Sequence, residues 1–230
     1  MSEIIKNMFS RVSGSYDFMN NLLSLGIHHQ WRRKAVQLAQ PGIGSSILDC
    51  AAGTGDFAIE FKRQTGKESR IIAVDFCEEM VELGRKKSKE KKLDIQFETA
   101  DILKLRFGDN SFDIASIAFG IRNVDSIEKC LLEIARVVKP GGKIVVLEFG
   151  MPYMPMYYLF LFYSRVIIPI LGNIFAGDKS AYDYLQSSAL KFPCREQFTS
   201  IMEQTRCFSE SRYFPLSSGI AYVYIGVVSK

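Results

Sequence analysis

The stretch Ile47-Leu48-Asp49-Cys50-Ala51-Ala52-Gly53-Thr54-Gly55-Asp56 limits the fold more than any other part of the chain. A short apolar run ends in a turn with glycine on either side of Thr54, and a helical pattern follows. Glycines at such a turn let a ligand come close to the backbone, and the N-terminus of the next helix favours an anion. A strand, a tight turn and a helix in this order form the first unit of a parallel α/β sheet. Ligands of such sheets bind outside the carboxyl ends of the strands.

The alternation continues along the chain. Residues 45–51 read as a strand and 56–64 as a helix that stops at Gly66. A strand over 70–75 and a helix over 77–92 follow. Glu78, Glu79 and Glu82 lie early in that helix, and Arg85, Lys86, Lys87, Lys89, Lys91 and Lys92 lie late, which complements the helix dipole. The basic run reads as a solvated helix end. Strands are predicted over 95–99 and 112–118, then a helix between 124 and 139. Asp125 is its expected N-cap, with Glu128 completing a capping box and Pro140-Gly141-Gly142 as the stop. A strand over 143–149, a helix over 195–207 and strands over 209–214 and 221–228 complete the pattern. The expected fold is α/β, a mostly parallel seven-stranded sheet with helices on both faces. A length of 230 residues suits one domain, 1–230, with residues 1–40 as a helical lid and 151–190 as an apolar insertion.

The site is read from the strand ends. Asp75 closes the second strand, where a carboxylate can accept hydrogen bonds from both hydroxyls of a ribose. Gly53-x-Gly55-x-x-Ala58 also fits the relaxed dinucleotide fingerprint, so a nicotinamide enzyme has to be weighed. A pyrophosphate over this turn would meet Asp49 and Asp56, an electrostatic mismatch. S-adenosylmethionine carries an ammonium and a sulfonium and no phosphate, so acidic neighbours suit it. The plain alternative is that Asp49 only caps the turn. Asp101-Ile102 closes the third strand, where a carboxylate can meet an adenine amino group and Ile102 can pack on the ring. Together these features resemble the class I S-adenosylmethionine-dependent methyltransferases, which have a Rossmann-like fold. The resemblance implies that Asp49, Gly53, Thr54, Gly55, Asp75, Phe76, Asp101 and Ile102 hold the donor.

Two longer segments narrow the resemblance. Tyr16-Asp17-Phe18-Met19-Asn20 runs on through Leu23-Ser24 to His28-His29-Gln30-Trp31. Arg136-Val137-Val138-Lys139-Pro140-Gly141-Gly142-Lys143 runs on to Leu147-Glu148-Phe149. Both are similar to the ubiquinone/menaquinone-biosynthesis C-methyltransferases, the UbiE/MenG family. Phe119-Gly120-Ile121-Arg122-Asn123 and Tyr182-x-Tyr184-Leu185 also match, while Gly150 stands where the family usually has serine. The resemblance runs from about Met8 to the C-terminus. It implies methyl transfer to a ring carbon of a polyprenylated quinol, either demethylmenaquinol or a methoxy-polyprenyl-benzoquinol. A class I enzyme acting on another lipophilic phenol or sterol is the alternative. A non-enzymatic quinone-binding protein that keeps the fold is a third reading, disfavoured by the intact Gly53-Thr54-Gly55, Asp75 and Arg122-Asn123.

The chemistry asks for alignment, exclusion of water and management of one proton, since the sulfonium already activates the methyl group. Tyr16, Asp17, His28 and Arg122 are the candidate proton handlers. A guanidinium is too basic to be a base, but it can polarise a water or stabilise a phenolate. By the resemblance, Arg122, Asn123 and Tyr16 come first, with Asn123 orienting Arg122. His28 has a suitable ordinary pKa for a base, yet its motif can equally pack a lid helix. Asp17 is read equally as a cap or turn residue, and Trp31 as the anchor of the lid.

Composition supplies exclusions. The net charge of +4 is too mild to argue for nucleic acid. Five scattered cysteines, with neither a CxxC pair nor a Cys/His cluster, lead us to expect free thiols and no metal site. Residues 1–10 lack the apolar core of a signal peptide, so a cytoplasmic chain is expected. Residues 151–176 carry only the charge of Arg165, but Arg165 and Pro169 interrupt the stretch against spanning. It reads as a buried insertion or as a surface for lipid or a greasy substrate. The partners expected are therefore the prenylated quinol, peripheral contact with the inner face of a membrane, and a second copy or a biosynthetic complex.

Overall fold

The computed structural model describes residues 3–167, 184 and 187–229. Its centre is a seven-stranded sheet in the order β3-β2-β1-β4-β5-β7-β6. The strands are β1 (Ser46–Cys50), β2 (Arg70–Asp75), β3 (Gln96–Thr99), β4 (Phe112–Ala118), β5 (Val138–Phe149), β6 (Phe208–Leu216) and β7 (Ala221–Val228). β1 pairs in parallel with β2 and β4, while β7 is antiparallel to β5 and β6. The strand order reverses between β1 and β4, which puts a crevice at the carboxyl end of β1. The expected mostly parallel α/β sheet is borne out.

Strand alternation divides the core into two layers. Leu48, Ile72, Val74, Ile117 and Val146 point to one face, where α6 (Ile127–Val137) and α8 (Glu196–Gln204) add Leu131, Ile134, Phe198 and Met202. Ile47, Ile71, Ala73, Val145 and Leu147 point to the other. There α3 (Ile27–Ala39) and α4 (Asp56–Thr65) add Trp31, Val36, Phe57 and Phe61. α1 (Glu3–Val12) and α2 (Tyr16–Ser24) precede this layer, and α5 (Glu78–Glu90) connects β2 to β3. Helices therefore cover both faces.

Three local expectations are corrected. Ser126, not Asp125, caps α6: its backbone is extended, and its Oγ accepts the N–H of Lys129 at 3.2 Å. Pro140-Gly141-Gly142 does not stop that helix, which ends at Val137 because Val138 already pairs with Phe112. The glycines lie in a bulge where the register jumps from Val138 to Lys143. A Cβ on Gly142 would sit 2.7 Å from the carbonyl oxygen of Asp113, so only glycine fits. Lys87 does not belong to the solvated helix end: it turns inward, as described below.

Gly150 also has a structural reason. A Cβ there would lie 2.5 Å from the ring of Tyr222 and 3.2 Å from Cys194, so the buried tyrosine fills the space a serine would need. All five cysteines are free thiols. Past β5, α7 (Met156–Phe162) and a turn of π-helix (Tyr163–Ile167) form the described part of the apolar insertion. Residues 168–176 of that insertion, together with Tyr182 and Leu185, lie outside the described residues. No helix among the described residues is long and apolar enough to cross a membrane.

Candidate functional site

The turn after β1 is built on left-handed backbone, with φ of 48° at Ala51, 55° at Gly53 and 80° at Gly55. Asp75, at the end of β2, holds it from the side. Its Oδ2 accepts the N–H of Gly53 at 2.7 Å, and its Oδ1 accepts the N–H of Cys77 at 2.9 Å. Burial pushes the Asp75 carboxyl above its usual range, against these two hydrogen bonds. At the end of β3, Asp101 Oδ1 accepts the N–H of Leu103 at 2.9 Å, and Ile102 is buried beside it. Phe76 follows Asp75 and is half-buried. The three acidic strand ends thus lie at one edge of the sheet.

Asp49 has two hydrogen bonds inside the fold: Ala58 N donates to Oδ2 at 3.0 Å and Ser116 Oγ to Oδ1 at 2.7 Å. The first ties down the start of α4. Asp49 also lines a small recess with Gly53, Thr54 and Asp56. Burial pushes its carboxyl up to about 7.

Asp56 changes the electrostatic argument made from the sequence. Its Oδ1 lies 2.6 Å from Lys87 Nζ and its Oδ2 lies 4.0 Å from Arg32 Nη1. Its charge is therefore already balanced, and it does not by itself repel a phosphate. Lys87 also reaches Asp17 Oδ2 at 2.5 Å and donates to Thr54 Oγ1 at 3.0 Å. Thr54 Oγ1 in turn donates to Asp17 Oδ1 at 2.6 Å. Asp17 belongs to the first turn of α2, so this network ties the N-terminal helices to the glycine turn. Sequence reading gave Asp17 a cap or a catalytic role, and its geometry matches a latch instead.

Against the recess lies a cavity of about 660 Å³, and Tyr16 and Arg32 line both. Its other walls come from apolar residues of α1, α2 and α7, including Met8, Met19, Leu23, Leu159 and Phe160, with Phe119 and Phe149 at the sheet. The polar exceptions include His28, Arg122 and Tyr184. Tyr16 has its hydroxyl pKa raised by burial.

Arg122 stands on a short 3-10 turn (Ile121–Asn123) just past β4. Its Nη1 donates to Glu148 Oε1 at 2.7 Å and to the Phe119 carbonyl at 2.6 Å, and its guanidinium lies 5.4 Å from the centre of the Phe149 ring. Glu148 is fully buried, and its Oε2 has no partner among the described residues. Burial raises its pKa while Arg122 opposes the rise. Asn123 is buried, but its Oδ1 accepts from the Tyr184 hydroxyl at 3.0 Å. Orientation of Arg122 thus falls to Glu148, which the sequence reading missed. The available signal was a lone carboxylate inside the apolar run of 144–149.

His28 is placed against a role as base. Arg32 Nη1 donates to its Nδ1, so its Nε2 carries the proton and donates to Asn21 Oδ1 at 3.1 Å. Burial first and Arg32 second push its pKa down to about 3. The fold also brings ligand atoms of His28, His29 and Asp56 within 4.8 Å of one another, a grouping the sequence did not suggest. Arg32 and Lys87 engage two of those groups, and two cations beside the cluster oppose a third. Trp31 anchors α3, donating to Ser217 Oγ at 2.9 Å.

The family model described as the ubiE/COQ5 methyltransferase family matches residues 1–228. The chain belongs to that family. It is a methyltransferase. Among relatives, a Ubiquinone/menaquinone biosynthesis C-methyltransferase UbiE from Bdellovibrio bacteriovorus is 51% identical, over 98% of this chain and 96% of that one. A Demethylmenaquinone methyltransferase from Bacteroides fragilis is 39% identical, over 97% and 91%. The fold is similar to that of a SAM-dependent methyltransferase from Thermotoga maritima, with TM-score 0.68 and 20% identity over 96% and 98% of the two chains. Family membership, rather than the charge of Asp56, sets the dinucleotide reading aside.

Proposed function

We propose that this methyltransferase places a methyl group on a ring carbon of a polyprenylated quinol. The observation that carries this is the apolar cavity of about 660 Å³ that shares Tyr16 and Arg32 with the glycine-turn recess and has Arg122 in its wall. Such a volume suits a ring and the start of an isoprenoid tail. The names of the relatives point to the same chemistry: a ubiquinone/menaquinone biosynthesis C-methyltransferase and a demethylmenaquinone methyltransferase.

S-adenosylmethionine supplies the activated methyl group, and Asp75, Asp101, Ile102 and the Gly53-Thr54-Gly55 turn are the residues to hold it. The chain's own contribution is orientation, dryness and charge. Arg122 faces the cavity and stabilises the phenolate that forms as the ring hydroxyl loses its proton. Glu148 keeps the guanidinium in place from behind. The ring carbon then exchanges its C–H for C–CH3: that hydrogen returns to the phenolate oxygen, so the one proton lost overall is the hydroxyl's, which leaves through water held at Arg122. Tyr16 closes the cavity on the donor side.

The cavity's mouth motivates a further part of the proposal. Leu25, Leu159 and Phe162 line the cavity and are also exposed, at 82%, 62% and 58%. Exposed apolar groups continuous with a greasy cavity suit peripheral contact with a membrane, from which a long-tailed quinol can slide in. The test offers labelled S-adenosylmethionine with demethylmenaquinol and with the methoxy-polyprenyl-benzoquinol. Label in one or both lipids is expected. Label in neither would overturn the quinol reading in favour of another lipophilic phenol or a sterol. Replacing Leu159 and Phe162 by serine should reduce liposome co-sedimentation and turnover of long-tailed substrate more than that of a short-tailed one. Equal behaviour would remove the membrane contact.

A further inference from the structure

Arg32 is a buried cation without a committed anion. It projects from α3 and is 7% exposed, which for a guanidinium demands compensation by hydrogen bonds and opposite charge. The compensation within the chain is incomplete. Nη1 donates to His28 Nδ1, a neutral partner, and reaches the His28 carbonyl at 3.5 Å. Among the described residues its one ion pair is with Asp56 at 4.0 Å, beyond hydrogen-bond distance, and the other oxygen of Asp56 is held by Lys87 at 2.6 Å. Nε is buried and has no partner among the described residues. The guanidinium carbon lies 5.5 Å from the centre of the Phe119 ring. Phe119 and His28 thus constrain the side chain while its buried Nε is left without a partner among the described residues.

Arg32 borders the right place. Arg32 lines the recess with Gly53 and Thr54 and also the large cavity, so it stands where the two meet. A methyl donor bound at the turn must put its sulfonium at this junction to face the acceptor. Its amino-acid end is a zwitterion whose ammonium suits Asp49, also in the recess. The carboxylate of that zwitterion needs a cation. We propose that Arg32 receives the α-carboxylate of S-adenosylmethionine with its unpartnered Nε, and that it thereby distinguishes the full donor from one lacking the carboxylate. A guanidinium holds a carboxylate through two parallel hydrogen bonds, which fixes direction as well as charge. Binding would complete the pairing of Arg32.

The inference rests on the assignment of the glycine-turn recess to S-adenosylmethionine, and the test separates the two. Calorimetry would compare S-adenosylmethionine with decarboxylated S-adenosylmethionine, which keeps the adenosine, the sulfonium and the ammonium. The wild-type chain should prefer the full donor. R32M should bind it roughly 10- to 100-fold more weakly, the scale of a charge-assisted pair, with less than about threefold change for the decarboxylated compound. R32K, which keeps the charge without the fork, should fall between. Parallel weakening of both donors in R32K would make Arg32 a structural residue only and overturn the proposal, as would no weakening of either. Should R32M not fold, R32K and the wild-type preference decide: equal wild-type affinity for the two donors overturns it. Failure of the wild-type chain to bind either donor would instead overturn the assignment of the recess.

Discussion

Asp49 and Glu148 are both fully buried carboxyls, and the structure gives them different work. Asp49, pushed up to about 7 by burial, contributes to stability while protonated: fully below the ordinary carboxylate pKa, less as pH rises, and lost beyond about 7. A cationic donor in the recess favours its ionised form and pulls that pKa down. Donor affinity should therefore rise with pH up to about 7 and level off above, with proton release on binding. Calorimetry in buffers of different ionisation enthalpy measures both, and Asp49→Asn should flatten the profile. Glu148 is bonded to Arg122, so Glu148→Gln removes the charge that balances a buried guanidinium. Breaking one side of such a pair costs about 3 kcal/mol. Urea unfolding should show that loss, and methyl transfer should drop at least about tenfold while donor binding changes little. Normal turnover in Glu148→Gln would mean that Arg122 does not need it. Both residues show how sequence and fold share the evidence. Asp49 could be marked as a site residue because it precedes the glycine turn, whereas Glu148 has an apolar neighbour on either side and acquires meaning only from Arg122 across the strand.

Among the elements, the contact between α2 and α5 is the one that sequence patterning concealed. Lys87 sits in a run of basic residues and has the same composition signal as its solvated neighbours. The packing of α2 over the glycine turn puts Asp17 within its reach, and the approach of α5 to the start of α4 brings Asp56. Asp17→Ala and Lys87→Ala, singly and together, should show a coupling of about 1 kcal/mol, held low because the pair is partly exposed to solvent. Hydrogen exchange in α2 should quicken in the single variants, and bound donor should slow it again. Independent, additive effects would dissolve the latch. β5 and β7 carry the other element-scale prediction. Gly150→Ser brings a side chain against the Tyr222 ring, and overpacking of this kind costs roughly 1–3 kcal/mol. Thermal unfolding should register it, and Tyr222→Phe would not relieve it, because the clash is with the ring carbons Cδ2 and Cε2 and not with the hydroxyl.

For the whole molecule, the succession of strands and helices followed from local pattern: hydrophobic period, glycine at the turns and charge along α5 are properties of neighbouring residues. That was enough for a parallel sheet with helices on both faces, for the strand ends carrying Asp75 and Asp101, and for β4 and β7 with the bounds the structure gives them. Where two local signals competed the sequence misled. Asp125 and Ser126 are both good caps, and Ser126 prevails because it stands directly before the helix with extended backbone and its Oγ accepts the N–H of Lys129. Pro140-Gly141-Gly142 looks like a terminator, yet Val138 has already joined β4, and the glycines serve a bulge instead. Long-range facts were hidden for a different reason. The pairing of Lys87 with Asp17, of Arg122 with Glu148, and the tautomer of His28 set by Arg32 and Asn21 depend on which elements meet. No spacing along the chain encodes those meetings. The sequence by itself determined the family, the sheet and the glycine turn, because each is written in adjacent residues. Only the tertiary structure decided which charges are already spent inside the fold and which side chains line the cavity, because burial and distance arise when remote segments pack together.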